Sequence, residues 1–280
     1  MTTTQTRRPG LPHQRRGALR RMLPVDEYAG LARVIVERSA RLYLRAWAVL
    51  ISGVVEPLFY LLAVTVGFRS LVPTVTLADG STVPYVDFVA PALLAASAMN
   101  GAISETLSIY FKLRYDKLYE AMLTTPVGPL DIVLGEVGWA VLRGGFYGTV
   151  FLGVLAALGL VTTPWAVVLV PVGLLVSFAF AAVGMAWATT LRSNAQLDYV
   201  TLASTAMFLF STTFFPLSSY PAAVQWLVQL SPLYHGVELA RMFFLGTPAP
   251  AALLHTAYLV VLALGGLTLA RVRLRSMFLG

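Results

Sequence analysis

The chain has only two lysines, Lys112 and Lys117, and neither follows a glycine: Phe111 precedes the first and Asp116 the second. A phosphate-binding loop needs Gly-Lys-[Ser/Thr], because backbone N–H groups cradle the phosphates while the lysine reaches the terminal ones. Any ATP and Mg this protein uses must therefore bind another chain, and no cofactor is expected on this one. His13, His235 and His255 are far apart and none lies in His-Glu-x-x-His, and Gly-x-Ser-x-Gly is absent. Zero cysteines exclude disulfides, thiolate metal sites and a cysteine nucleophile. An intramembrane enzyme would need an unpatterned site, so no catalytic residue and no metal site are expected.

Four ionisable residues fall inside apolar segments, where an unpaired charge costs several kcal/mol. Glu56 lies in the middle of the first segment, just before Pro57, and Glu105 towards the end of the second. Glu136 and Arg143 share the third, seven residues apart and hence on one helical face. Two readings stand. Arg143 pairs with a carboxylate and locks helices together, or the four groups form a proton path or a polar patch on a substrate route. The second keeps an ion-gradient-driven secondary exporter as an alternative, although paired halves with matching broken spans are missing.

The elements that hold these groups are set by composition. At 58% hydrophobic, 12% charged and mean hydropathy +0.75, the chain departs from soluble domains, where roughly 25% charged residues are usual. Six apolar segments, at about 47–68, 88–110, 133–159, 165–190, 199–217 and 251–270, each approach the roughly 20 residues needed to cross a bilayer as a helix. The expected fold is an all-α polytopic membrane protein with six transmembrane helices. The net charge of +7 does not point to nucleic acid, because the basic residues flank apolar spans, where membrane lipid is the natural partner. All of the 20 basic residues except Arg69, Arg143 and Arg241 fall on one side of the six-span map. By the positive-inside bias that side, with both termini, is cytoplasmic. No signal peptide is expected before the first span.

Residues 1–23, with six arginines among Pro, Gly and Thr, predict a disordered basic tail. Pro24 then opens a segment to residue 46 in which Tyr28, Leu31, Ala32 and Ile35 recur at helical spacing, with Asp26 and Glu27 in the first turn. It predicts an amphipathic helix on the membrane surface; residues 47–280 form the six-span domain. Between spans two and three, Tyr115, Leu118, Tyr119, Met122 and Leu123 share one helical face, with Lys112, Arg114, Asp116, Lys117 and Glu120 on the other. This helix either docks on a partner protein or lies on lipid. Before the last span, Pro216, Pro221 and Pro232 cut an apolar stretch into short pieces, which predicts short external helices dipping into the membrane rather than a seventh span.

These pieces, in this order, resemble the type-2 permease class of ATP-binding cassette exporters, in particular the nodulation-factor and daunorubicin exporter permeases. The resemblance runs over nearly the whole chain. It is carried by the surface helix, by Glu56-Pro57-Leu58-Phe59-Tyr60-Leu61-Leu62, by the stretch from Tyr115 to Glu136, and by the stretch from Phe214 to Arg241, which is similar to that family's signature region and includes Glu238. It implies a plasma (inner) membrane permease working as a dimer, a homodimer by expectation, with separate cytoplasmic ATPase subunits. It implies that Tyr115 to Leu123 form the coupling helix, and that the substrate is hydrophobic or amphipathic: a drug, lipid, glycolipid or lipo-oligosaccharide.

Overall fold

The computed structural model describes residues 28–68, 72–77 and 80–278. The tail expected at 1–23, and Pro24, Asp26 and Glu27, lie outside the described residues. The first described helix, α1, is Ala32–Arg45, so it begins later than the expected residue 24. A carboxylate from elsewhere in the chain sets that start: Asp131 accepts hydrogen bonds from the backbone N–H groups of Ala29 (2.7 Å), Leu31 (2.7 Å) and Ala32 (3.2 Å). It satisfies amide groups at the helix N-terminus as an N-cap side chain would.

Among the described residues, five helices are long and apolar enough to cross a membrane: Trp47–Gly67, Tyr85–Arg114, Pro129–Ala157, Pro164–Ala188 and Ala251–Phe278. In chain order they contain α2 (Trp47–Ala63, continued by a π-helical turn Val64–Phe68), α3 (Tyr85–Arg114), α5 (Pro129–Ala157), α6 (Leu169–Ala188, after a 3-10 turn Pro164–Val168) and α10 (Ala251–Phe278). Between α3 and α5 lies a short helix α4, Leu118–Leu123. The remaining helices are α7 (Leu197–Phe210), α8 (Ala222–Leu230) and α9 (Pro232–Phe244).

The expected six-span count is therefore not met by length. The segment expected at 199–217 is helical only to Phe210, and its 14 residues cover about 21 Å at 1.5 Å per residue, short of a roughly 30 Å hydrocarbon layer. Bends follow from Ser211 to Phe215, and Thr212 has φ +56. The prolines act as expected of helix punctuation. Pro216 and Pro221 stand immediately before the turn Leu217–Ser219 and α8, and Pro232 is the first residue of α9, where a missing N–H costs nothing.

Among the described residues the fold also departs from all-α in one place. Thr74–Thr76 (β1) pairs antiparallel with Thr82–Pro84 (β2), Val75 opposite Val83. Both strands are rich in β-branched residues, which suit a pleated surface. Gly80 takes φ +83 in the connection, a conformation glycine adopts without steric cost.

The core is a sandwich of α3, α5, α6 and α10, with α9 against α3 and α10. Close approach depends on small residues. A Cβ on Gly101 of α3 would sit 2.8 Å from Gly144 Cα of α5, and one on Gly144 would sit 2.7 Å from the Ala98 carbonyl oxygen and clash with Ser177 Oγ of α6. At Gly148, one turn on, the nearest atom would be Leu94 Cδ2 at 3.8 Å. Gly144→Ala should therefore lower stability by about 1–3 kcal/mol through overpacking. Gly148→Ala should be neutral or stabilising, since alanine is the better helix former by about 1 kcal/mol. Thermal midpoints of the two detergent-solubilised variants that moved together would contradict this packing.

Candidate functional site

At the basic end of the bundle, where Arg114 closes α3 and Pro129 opens α5, three buried charges and the half-buried Lys112 meet. Glu105 and Lys112 are seven residues apart on α3, and Glu136 and Arg143 seven apart on α5, so each helix turns its pair towards the other. Lys112 Nζ donates to Glu105 Oε1 (2.9 Å) and Glu136 Oε2 (2.7 Å). Arg143 Nη1 lies 3.1 Å from Glu105 Oε2, so its carboxylate partner is on the neighbouring helix rather than at Glu136. The Arg143 guanidinium also donates to the Gly101 carbonyl (2.7 Å from Nη2, 3.1 Å from Nε), to Tyr43 Oη (2.6 Å) and to Ser104 Oγ. Tyr43, from α1, donates to Glu105 Oε2 (3.0 Å). Two cations and two anions form a neutral set, as removal from water demands.

The network extends to the short α4. Tyr119 is fully buried and its hydroxyl lies beside Glu136. Neither that hydroxyl nor Glu136 Oε1 makes a hydrogen bond within the described residues. Burial and the adjacent carboxylate push the Tyr119 phenol well above its ordinary range, so it stays a neutral donor.

This arrangement differs from the single amphipathic face expected between spans two and three. Tyr115, Leu118, Tyr119, Met122 and Leu123 do not form one exposed face, because the helix is only six residues long, Leu118–Leu123, and Lys117 before it takes φ +48. Tyr119 points into the protein, Leu118, Met122 and Leu123 are half-buried, and Tyr115 is exposed in the preceding break, its hydroxyl donating to Asn194 Oδ1 at 3.0 Å. Lys112, expected on the charged face of the same helix, belongs to α3 and is held by two carboxylates. The reason is electrostatic. A lysine one turn from the helix end can satisfy two buried anions only if α3 continues through it, which moves the chain reversal to Asp116 and Lys117.

Above the network is a cavity of about 530 Å³ between α2, α3, α5 and α7, lined by Tyr43, Glu56, Asn100, Arg143, Tyr147 and Thr205 among others. Glu56 is the one intramembrane charge expected from the sequence that does not join the network. Among the described residues it has no ion-pair or hydrogen-bond partner.

At the opposite end, Arg241 of α9 is buried. Its guanidinium reaches Glu238 Oε1 (2.5 Å), the Thr212 carbonyl (2.8 Å) and the Phe88 carbonyl (3.3 Å), and stacks over the Phe88 ring at 3.8 Å. Thr212 Oγ1 donates to Glu238 Oε1 (3.0 Å). The bends after α7 are thus tied to α9 and to the start of α3. Sequence reasoning misses a second contact here: His235 and His255 share a hydrogen bond between their Nδ1 atoms at 2.8 Å, with Tyr258 stacked on His235. Their 20-residue separation spans two helices, so no local spacing could reveal it.

Long apolar helices, a neutral network of interior charges and a polar cavity between helices define a polytopic membrane protein. The family described as ABC-2 type transporter matches residues 31–245, and the chain belongs to that family. It is 34% identical over 221 residues to Nodulation protein J of Sinorhizobium fredii, covering 78% of this chain and 82% of the relative. It is 34% identical to Nodulation protein J of Rhizobium leguminosarum bv. viciae, over 77% of this chain and 82% of the relative. To the inner membrane transport permease YadH of Escherichia coli it is 25% identical, over 73% of this chain and 78% of the relative.

Proposed function

We propose that this chain is the permease subunit of an ATP-driven exporter in the plasma (inner) membrane, moving a hydrophobic or amphipathic substrate outward with ATP and Mg held by a separate cytoplasmic cassette ATPase. The observation that carries the reading is membership of the ABC-2 type transporter family in a chain without a Gly-Lys-[Ser/Thr] loop. In this reading two copies form the transporter, both termini are cytoplasmic, and α7 with the bends after it makes a broken fifth crossing of six. The helices α8 and α9 then re-enter the outer leaflet, tied down by Arg241.

The ATPase docks on the cytoplasmic turn around α4. Its exposed residues include Tyr115, Asp116, Lys117, Glu120 and Ala121, so Tyr115 supplies an aromatic docking contact while the buried Tyr119 holds the turn beside Glu136. A push on the turn reaches Glu136, then Lys112, Glu105 and Arg143, and so the cavity wall.

Co-purification with cassette ATPase subunits co-expressed from the same genome tests the reading. The lone chain should turn over no ATP and the complex should. Tyr115→Ala should weaken association by about 1 kcal/mol or more, as expected of an exposed aromatic anchor. Tyr119→Ala should instead lower ATPase-coupled export together with the chain's own stability. ATP hydrolysis by the lone chain, or no association with any cassette ATPase, would reject the assignment.

A further inference from the structure

The cavity beside the charge network holds one charge that nothing among the described residues neutralises. Glu56 sits near the middle of the Trp47–Gly67 span, lines the cavity, and has no partner among the described residues. The other charged lining residue, Arg143, is fully engaged by Glu105, the Gly101 carbonyl, Tyr43 and Ser104. The cavity is therefore acidic on balance. An ionisable group at this depth costs several kcal/mol unless it faces water or a partner, and a carboxylate offers only acceptors.

Other groups near Glu56 suit the same ligand. Pro57 has no N–H, so the Gly53 carbonyl, four residues before it, lacks its regular helical donor, and Gly53 lines the cavity. Asn100, whose amide has no partner among the described residues, faces it from α3. Tyr60 and Phe208 close one side with their rings 5.2 Å apart, an aromatic wall of the kind that attracts cations. A polar acceptor set beside an aromatic wall fits a molecule with an ammonium group at one end and an apolar body.

We propose that this cavity binds an amphipathic molecule through a protonated amine, with the Glu56 carboxylate as its counter-charge. Calling that molecule the transported substrate rests on the exporter reading; the binding itself does not.

The probe is monodansylcadaverine, a fluorescent naphthalene carrying a primary ammonium on a short alkyl chain, compared with its N-acetylated, uncharged form. Both are titrated against the whole chain in nanodiscs of zwitterionic phosphatidylcholine, so that lipid charge contributes nothing. The amine should bind at least about tenfold more tightly than the acetylated probe, the range of a charge-assisted hydrogen bond. Glu56→Gln should abolish that difference, and Glu56→Asp should keep most of it. Equal binding of the two probes by the unmodified chain overturns the proposal without any variant, as does a Glu56→Gln protein that still prefers the amine. A chain that prefers the amine through Glu56 but recruits no ATPase keeps this inference and loses the exporter reading. A chain coupled to its ATPase but indifferent to the amine does the reverse.

Discussion

Lys112→Met should lower the protein's thermal midpoint more than any other single change on the face between α3 and α5. Among the described residues Lys112 is the only cation bonded to Glu136, and it shares Glu105 with Arg143. Both carboxylates are completely buried. Removing the lysine leaves Glu136 as an uncompensated interior charge, for which a loss of about 3–5 kcal/mol is typical. The control is the double variant Lys112→Met with Glu136→Gln. Replacing the stranded anion by a neutral amide should recover most of the loss, because a neutral pair of similar volume avoids the desolvation penalty. Midpoints from thermal precipitation at one fixed heating rate, in one detergent, provide the comparison. A double variant no more stable than Lys112→Met would show that the lysine contributes packing rather than charge. If a push on the α4 turn travels through Glu136, the rescued double variant should still export poorly, since it restores neutrality without the bridge from Glu136 to Glu105.

Arg241→Ala should be the second severe lesion, and it should act at the other end of the molecule. The guanidinium satisfies the carbonyls of Thr212 and Phe88 and the Glu238 carboxylate, and its plane covers the Phe88 ring. Its loss would leave buried acceptors without donors, at about 1–3 kcal/mol for each group, and would release Thr212 from its left-handed conformation. Arg241→Lys should rescue little, because one ammonium cannot reproduce a planar fork aimed at three acceptors. Glu238→Gln should cost less than Arg241→Ala, since the Glu238 side chain keeps 23% exposure and its amide replacement can still accept from Arg241. Limited proteolysis of the 211–231 stretch, read against the thermal midpoint, provides the check. If Arg241→Lys behaves as wild type, the fork geometry is not what holds this region.

Much of this architecture is legible in the amino-acid sequence itself. Hydropathy alone locates five helices of membrane-spanning length, since apolar runs of about 20 residues have few other stable fates, but it also marks 199–217 as a sixth span, where the helix ends at Phe210. Pro216, Pro221 and Pro232 mark the starts of short elements, because a residue without an N–H is tolerated there and disfavoured further in. The absence of Gly-Lys-[Ser/Thr] is equally plain from the sequence, and the proposed division of labour with a separate ATPase starts from it. Glu56, Glu105, Glu136 and Arg143 are conspicuous because charge is expensive in an apolar segment.

Tertiary structure decides how those residues combine. Helical periodicity reads Tyr115 through Leu123 as one amphipathic face, but Lys112 is drawn between two carboxylates, α3 extends to Arg114, and the reversal at Lys117 turns Tyr119 inward and leaves Tyr115 outside. The start of α1 at Ala32 depends on Asp131, about a hundred residues away. The end of α7 at Phe210 precedes bends whose Thr212 carbonyl is held by Arg241. Each of these outcomes turns on a polar group seeking a distant partner once water is excluded. Local patterning records which surfaces are apolar and where a helix can begin; which buried charge meets which is set only when the helices pack, and that choice leaves Glu56, at the cavity wall, without a partner among the described residues.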